Sequence, residues 1–185
     1  MVFTPQKPCH RFDARLFCQY YGQLSRSSGL PQMAQYPQHG NTSRLLHSVA
    51  VAYYSYRLAA AAPATFHMYE LVRGALFHDY FFYDAQDGDP AHKGHWTRHP
   101  AIALENAQKE LALSGIEADI IRSHMFPLTL RPPRFREAAV VSMIDKACSV
   151  YEFFRRREPY RALRALLSHA DMGCVVAPVP QSAPQ

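Results

Sequence analysis

The amino-acid sequence predicts an all-α protein, a compact single-domain helical bundle of about six to seven helices. Three observations support this fold class. Apolar residues recur at three- and four-residue spacing through most of the chain, which is typical of amphipathic helices. No stretch alternates apolar and polar residues strongly enough to indicate a sheet. The chain has 185 residues, of which 48% are hydrophobic, and this is enough for one sizeable core without a second domain.

The first two helices are separated by a long polar segment. After an irregular arm at residues 1–10, a first helix is expected from apolar residues at helical spacing, namely Phe12, Leu16, Phe17, Tyr20 and Leu24. Residues 25–40 are rich in Ser, Gly, Pro and Gln and are expected to form a loop. Thr42 or Ser43 then caps a second helix over about 44–60.

The middle of the chain is expected to add three helices. The third runs from about Thr65 to Tyr83. The fourth begins at Pro100, because proline is favoured at the first helical position. Ser114 and Glu117 have the spacing of a capping box, which predicts the start of a short fifth helix.

Two further helices are expected near the end of the chain. A long sixth helix runs from Arg134 to about Arg157, and a final helix starts at Pro159. Residues 174–185 are rich in Ala, Pro, Val and Gln, so they are expected to form a flexible tail.

An adjacent pair, His78 and Asp79, lies within the aromatic stretch 74–84. Burying an ionised aspartate and an imidazole among phenylalanines costs free energy unless a partner compensates. A metal ion is such a partner, because imidazole and carboxylate groups both bind divalent metals. Both side chains are expected to project from adjacent positions of the third helix, and they predict a metal site that needs further ligands.

Four other residues are candidate ligands: His47, His99, His124 and Asp145. Together with the His78-Asp79 pair, they follow one another along the chain at separations of roughly one helix and one loop. His47 lies on the apolar stripe of the second helix, and its alternative role is a core histidine bonded to a neighbour. Asp145 lies on the apolar stripe of the sixth helix, where a helix cap or an arginine is the alternative partner to a metal. His99 would cap the fourth helix, where Ser, Thr, Asp or Asn is normally preferred, and this favours a chemical role.

The order of these residues is a lone His, a His-Asp pair, a His-Pro pair, a His and a late Asp. This order resembles the HD-domain superfamily of metal-dependent phosphohydrolases over about residues 38–155. The resemblance implies a helical bundle of the HD-domain type that occupies 1–185 as one domain, with its core at about 38–157. It implies six metal ligands: His47, His78, Asp79, His99, His124 and Asp145. It also implies a catalytic role for Asp79, which would contact both ions and the activated water.

The ligand types define the expected cofactor, which is one or two divalent transition-metal ions. Mixed imidazole and carboxylate ligands without thiolate suit iron or manganese best, and also cobalt, nickel or zinc. Four of the ligands would hold one ion, and the addition of His99 and His124 would hold two. Such a site lowers the pKa of bound water to about 7 and polarises a phosphoryl oxygen.

The function implied is the hydrolysis of a phosphomonoester or phosphodiester, with a nucleotide as the expected substrate class. Lys146, beside Asp145, and Arg98, beside His99, are candidates for neutralising the phosphoryl charge. His95 is expected to support a ligand or to face the substrate. Trp96 could stack on a base, although a single tryptophan in a loop often only packs. The alternative function is a regulatory protein of the same fold that binds a metal ion or a nucleotide without turnover.

Two other groups of residues allow a rival interpretation. His92, His95 and His99 are close enough in sequence to form a local metal site among themselves. The arginines at 155–157 could contact nucleic acid, but positive charge at a helix C-terminus is also favoured by the helix dipole. We favour the structural role for these arginines, so no specific nucleic-acid partner is expected.

Composition bounds the partners and the compartment. The formal charge is +5 with arginine in excess over lysine, which suits phosphate-bearing ligands but is equally consistent with a merely basic surface. The four cysteines show no C-x-x-C spacing and are expected to be reduced thiols: Cys9, Cys18, Cys148 and Cys174. No signal peptide is expected, because Pro5, Lys7, Pro8 and His10 stand where one would need an apolar run, and no apolar run of ~18 residues indicates a membrane span. We therefore expect a cytoplasmic protein with a small phosphorylated substrate, no membrane contact and a capacity for homo-oligomer formation.

Overall fold

The structure is a computed structural model that describes residues 12–85, 87, 89–155 and 160–169. The helices within these residues confirm the predicted all-α class, and their bounds are α1 Ala14–Ser27, α2 Arg44–Ala61, α3 Met68–Leu76, α4 His95–Glu110, α5 Gly115–Ser123, α6 Arg136–Phe154 and α7 Arg161–His169. Short 3-10 helices occur at Leu30–Gln35 and Pro90–His92. Two short antiparallel strands are β1 Pro37–His39 and β2 Thr42–Ser43.

Capping side chains fix two of the predicted helix starts. Ser43 caps α2 by accepting a hydrogen bond from the backbone N–H of Leu46. Ser114 and Glu117 form the reciprocal capping box of α5, with each side chain bonded to the backbone N–H of the other residue. Each bond satisfies an N–H group that the first turn of a helix leaves without a partner.

The predicted end of the third helix is wrong. The helix α3 ends at Leu76, with Phe77 at its C-cap, so His78 and Asp79 lie in the turn after the helix and not on it. Every residue from Phe77 to Phe81 is buried. A helix that packs on one side buries only one stripe, whereas an irregular turn can direct consecutive side chains inward in several directions.

The predicted start of the fourth helix is also wrong. The helix α4 begins at His95, with Gly94 as its N-cap in a left-handed conformation at φ 77°. His99 therefore lies inside the helix and is not its cap. Pro100 follows within the second turn, where it has no N–H to donate to the carbonyl oxygen of Trp96 four residues earlier.

The helix α2 forms the centre of the bundle, and every residue from Arg44 to Ala52 is buried. It packs against α3 and α6, while α5 packs against α3, α4 and α6. This arrangement brings one face of α2, the turn after α3, the first half of α4, the end of α5 and the middle of α6 to one region. No helix among the described residues combines the length and the apolar character that a membrane span requires.

Several sequence predictions concern residues that the structure does not describe. They are the irregular arm at 1–10, the helix start at Pro159 and the tail at 174–185. The loop predicted at 25–40 contains the first 3-10 helix and β1. Cys18 and Cys148 are free thiols, and the other two cysteines lie outside the described residues.

Candidate metal centre

The structure brings the six predicted ligands together, and all six side chains are buried. They come from α2, the turn after α3, α4, the C-cap of α5 and α6: His47, His78, Asp79, His99, His124 and Asp145. Three overlapping sets of these residues have ligand atoms within 4.8 Å of one another. The side chains could therefore hold a metal ion.

The ligand atoms form two groups around Asp79. In the Asp145 group, Asp145 Oδ1 lies 3.1 Å from His47 Nε2 and 3.6 Å from His78 Nε2. In the His99 group, the Nε2 atoms of His99 and His124 lie 2.8 Å apart. Asp79 Oδ1 lies 3.2 and 3.5 Å from these two nitrogens, while its Oδ2 lies 3.5 Å from His78 Nε2. One carboxylate thus faces both groups.

Backbone carbonyl groups fix the orientation of three of the imidazole rings. Each ring donates from Nδ1 to a nearby carbonyl oxygen: His78 to Ala75 at 2.7 Å, His99 to His95 at 3.1 Å and His124 to Ile121 at 2.8 Å. A carbonyl oxygen can only accept, so Nδ1 carries the proton in each ring. In the neutral ring, Nε2 then presents its lone pair to the centre, which is the tautomer that a metal ligand requires.

The contact between His99 and His124 favours a shared cation. Two neutral rings with protonated Nδ1 atoms would direct the lone pairs of their Nε2 atoms at each other across 2.8 Å. A proton on one of the two Nε2 atoms removes this repulsion by making a hydrogen bond, and a metal ion held between them removes it by binding both lone pairs. Two nitrogens that bind one ion at about 2.0–2.1 Å and at nearly a right angle lie about 2.9 Å apart, so the spacing fits a pair of ligands. Among the described residues, Asp79 Oδ1 and His78 Nε2 are also buried without a hydrogen-bond partner.

Glu152 positions His47 in a way that the sequence analysis missed. Its Oε1 accepts a hydrogen bond from His47 Nδ1 at 2.9 Å and another from the Tyr160 hydroxyl at 2.7 Å. Glu152 is fully buried. A carboxylate on the far nitrogen of a ligating histidine is a common support for metal ligands. The signal in the sequence was a second acid, seven residues after Asp145, on the same buried stripe of α6.

A second support, also missed, holds Asp79. Gln38 Nε2 donates to Asp79 Oδ2 at 2.7 Å, and Arg44 Nε donates to Gln38 Oε1 at 3.1 Å. Arg44 is fully buried and also donates to the carbonyl oxygens of Phe81 and Tyr83. Burial lowers the pKa of Arg44 to about 10, so its guanidinium stays charged at neutral pH. The signal in the sequence was an arginine in the first turn of a helix whose next two residues, Leu45 and Leu46, are apolar.

The electrostatics of the centre keep its carboxylates ionised. Burial would raise the pKa of Asp79, but the neighbouring imidazoles of His78, His99 and His124 hold it well below its usual value. The pKa of Asp145 is lowered in the same way, with burial opposing the effect of His47 and His78. Burial, with His78 and His99 nearby, lowers the pKa of His124 to about 3. Burial would lower the pKa values of His47 and His78, but the carboxylates of Glu152, Asp145 and Asp79 raise them, so a divalent cation would displace protons from these two rings on binding.

A cleft gives access to the centre. Of the two predicted substrate contacts His95 and Arg98, only His95 is among the residues that line this cleft. His95 lines the cleft beside His99 and Asp79. Its Nδ1 lies 2.9 Å from the Tyr83 hydroxyl, and burial lowers its pKa to about 4. Arg98 is exposed, and its Nη1 donates to the carbonyl oxygen of Lys93. Arg98 is not among the residues that line the cleft.

Lys146 supports the site rather than lining the cleft. Its Nζ donates to the carbonyl oxygen of His124 at 2.6 Å and to the carbonyl and hydroxyl oxygens of Ser142 at 3.1 Å. The ammonium therefore fixes the turn that carries His124. Lys146 is not among the residues that line the cleft, and its predicted role in neutralising the charge of a phosphoryl group stays a prediction.

The rival site of His92, His95 and His99 does not form. Among the described residues, no group of close ligand atoms combines these three histidines. His92 instead bonds Asp87 at 2.9 Å and is half-buried; with the exposed residues Asp87 and Asp89 it forms a set that we call the exposed set. Of the arginines at 155–157, only Arg155 lies within the described residues.

Comparison of the chain with protein-family models, curated proteins and solved structures found no match. The resemblance to the HD-domain superfamily therefore stays a prediction from the order and spacing of the ligands. What the structure adds is geometry: six buried side chains, whose oriented nitrogen and oxygen atoms could hold a metal ion.

Proposed function

We propose that this protein is a phosphohydrolase of the HD-domain type that depends on one or two divalent transition metals and acts on a nucleotide-class phosphomonoester or phosphodiester. The observation that carries the proposal is the position of Asp79, whose two oxygens face the Asp145 group and the His99 group. A carboxylate between two sets of ligands is suited to a two-metal centre, which is common among phosphatases and nucleases. When bound, the metal would act as a Lewis acid and activate water.

Two sets of side chains would each bind one metal ion. His47, His78 and Asp145 would bind one ion, and His99 and His124 would bind the other, with Asp79 shared between them. The acceptors on each Nδ1 atom keep the rings in place before a metal arrives. Because the ligands are already oriented, little conformational entropy is lost on binding.

The cleft supports a nucleotide as the substrate. Trp96 lines the cleft together with His99 and Asp79 but is 64% exposed, so its indole is not used for core packing. An exposed aromatic ring beside a phosphate-binding centre can stack on a base, and such stacking is worth about 1–3 kcal/mol. Arg44 also lines the cleft, although its guanidinium is bonded to the carbonyl oxygens of Phe81 and Tyr83. We therefore assign Arg44 to organising the cleft wall.

The test is phosphate release from a panel of nucleotides and generic phosphoesters, with iron or manganese supplied under exclusion of oxygen. Asp79→Asn should lower the rate by more than about 100-fold, because the variant loses the carboxylate shared by both groups. Asp87→Asn is the matched control, since Asp87 belongs to the exposed set with Asp89 and His92. This control should keep the wild-type rate.

Two results would contradict the proposal. Phosphate release that is equal in the wild type and in Asp79→Asn would show that the centre does not catalyse the reaction. Full metal loading by elemental analysis, with no release from any substrate, would favour the alternative of a regulatory protein that binds metal or nucleotide. The fluorescence of Trp96, the single tryptophan of the chain, would then report nucleotide binding without turnover.

A further inference from the structure

The helix α6 has its polarity reversed relative to an ordinary surface helix. Its acidic residues Glu137, Asp145 and Glu152 are buried. Its exposed residues after Arg136 are all apolar: Ala139, Met143, Ala147, Val150, Tyr151, Phe153 and Phe154. A surface helix normally presents charged or polar residues to solvent. The structure describes the whole of α6, and no charged side chain is exposed between Arg136 and its end at Phe154.

Five of the exposed residues form one continuous line, which we call the α6 stripe: Ala139, Met143, Ala147, Val150 and Phe154. Their spacing of three and four residues places them on one face of the helix. Met143 is 54% exposed, Val150 58% and Phe154 77%. Contiguous apolar surface of this kind usually marks a binding face.

We propose that the α6 stripe is the contact face of a homodimer, in which the α6 helices of two copies pack antiparallel about a two-fold axis. The order of small and large residues along the stripe fits this occupant. Met143 and Val150 have the same midpoint in sequence as Ala139 and Phe154. In an antiparallel pair, Met143 would therefore meet Val150 of the second copy, and Ala139 would meet Phe154. A two-fold contact requires this reciprocity, and placing a small residue opposite a large one lets two helices approach closely.

The residues beside the midpoint also fit the proposed axis. The midpoint falls between Lys146 and Ala147, and residues beside a two-fold axis lie close to their own copies, so two Lys146 ammonium groups directed outward would repel each other. The Nζ of Lys146 is instead directed inward to the carbonyl oxygens of His124 and Ser142. The charge that would oppose self-association is thereby removed from the face.

The area of the face is sufficient for a dimer. The stripe, with Phe153 beside it, would bury on the order of 500 Å² per copy, or roughly 1,000 Å² in total, which is the lower bound for a specific interface. On its opposite side, α6 carries Asp145 and Glu152. The dimer would thus support the helix that provides ligands to the candidate metal centre, and its formation does not depend on the proposed reaction.

The test measures the molar mass of the full chain by light scattering during size-exclusion chromatography. The wild type should be a dimer. Met143→Lys and Val150→Glu should each be monomeric. Each single variant would bury an unpaired charge against an apolar residue of the other copy, and the two-fold axis would repeat this cost in a second contact. The double variant Met143→Lys/Val150→Glu should recover the dimer. The new ammonium group of each copy would then face the new carboxylate of the other copy, which gives two ion pairs across the interface. Leu58→Lys, at a 39% exposed residue of α2, is the matched control and should stay dimeric.

Circular dichroism would confirm that each variant is folded. If a charged variant does not fold, the Ala147→Cys variant offers a second measurement, because a short bismaleimide should link two chains near the axis more efficiently than it links the wild type. A monomeric wild type would overturn the proposal, as would single variants that remain dimeric. Failure of the double variant to recover the dimer, with both single variants folded and monomeric, would overturn the antiparallel pairing.

Discussion

The hydrogen bond that each histidine of the centre makes through Nδ1 sets the orientation of its ring and its strength as a metal ligand. Three rings donate to backbone carbonyl oxygens, and His47 alone among the four ligand histidines donates to a side chain, Glu152. A backbone carbonyl oxygen cannot be removed by mutation, whereas the Glu152 carboxylate can be replaced without altering the backbone. The strength of His47 as a ligand therefore depends on one replaceable carboxylate, because a charged acceptor makes the ring more basic.

We expect Glu152→Gln to weaken metal binding by about 10- to 100-fold while the fold is kept, because the amide still accepts a hydrogen bond from His47 but carries no charge. The measurement is a metal titration of the metal-free protein, together with a thermal melt in the absence of metal. Glu105→Gln is the control, since Glu105 is exposed and pairs with Lys109 on the surface at 3.0 Å. Equal metal affinity in the two variants would show that Glu152 does not support His47.

Trp96 allows a test of substrate recognition that is separate from catalysis. Its side chain is 64% exposed and lines the cleft. We expect Trp96→Ala to raise KM for a nucleotide by about 10-fold or more with little change in kcat, because stacking binds the base without contacting the reacting phosphate. Trp96→Phe should recover most of the affinity. A generic phosphoester without a base should show the same KM for all three proteins, and an equal rise in its KM would contradict the stacking role.

At the scale of elements, the close approach of α3 and α5 determines where His78, Asp79 and His124 meet. Gly74 of α3 faces Ile120 of α5, and a Cβ atom at Gly74 would lie 2.6 Å from Ile120 Cδ1 and 3.0 Å from its Cβ. The absence of a side chain at Gly74 thus lets the two helices pack side by side. The turn after α3 and the C-cap of α5 are the two segments that this contact brings together.

We expect Gly74→Ala to lower the free energy of unfolding by about 1–3 kcal/mol, although alanine is the better helix former, because the new methyl group overpacks the contact with Ile120. Gly115→Ala is the matched control. A Cβ atom at Gly115 has no neighbour within 4 Å, so this change should be neutral or stabilising by up to about 1 kcal/mol. Chemical denaturation of both variants measures the difference, and a Gly74→Ala protein as stable as the control would show that the helices can separate without cost.

Helix boundaries that depend on local capping were predicted from the sequence, whereas a boundary that depends on tertiary packing was not. The start of α2 and the start of α5 each depend on a side chain that bonds its own first turn, namely Ser43 and Ser114. Such local signals are visible in the sequence. The end of α3 depends instead on the burial of all residues from Phe77 to Phe81, which is a property of the packed molecule and cannot be read from spacing.

At the scale of the whole molecule, the ligands of the candidate centre were predictable and most of their supports were not. A histidine or an aspartate on an apolar stripe, such as His47 or Asp145, is unusual by its type, and the order of the six residues along the chain predicts that they share a site. Gln38 is an ordinary polar residue in a segment predicted to be a loop, and its role arises only because β1 lies beside the turn that carries Asp79. Partners that meet through tertiary contacts leave no periodic signal in the sequence.

The convergence of five segments on the centre predicts that metal binding stabilises the whole fold. In the metal-free protein, buried Asp79 Oδ1 and His78 Nε2 have no hydrogen-bond partner among the described residues, and unpaired buried polar atoms are costly. A ligand present at 100 times its Kd stabilises the folded state by about 2.7 kcal/mol, which corresponds to a rise in Tm of roughly 5–10 °C for a chain of this size. We therefore expect chelation to lower Tm by this amount and manganese to restore it.

Two variants locate this effect in the molecule. Asp79→Asn should abolish the rise in Tm on addition of manganese, because it removes the carboxylate that faces both groups of ligands. Asp87→Asn should retain the full rise, since the exposed set of Asp87, Asp89 and His92 lies in one short segment and cannot link separate helices. If the rise is lost with Asp87→Asn and kept with Asp79→Asn, the stabilising ion binds to the exposed set, and the buried centre does not account for the metal dependence of the fold.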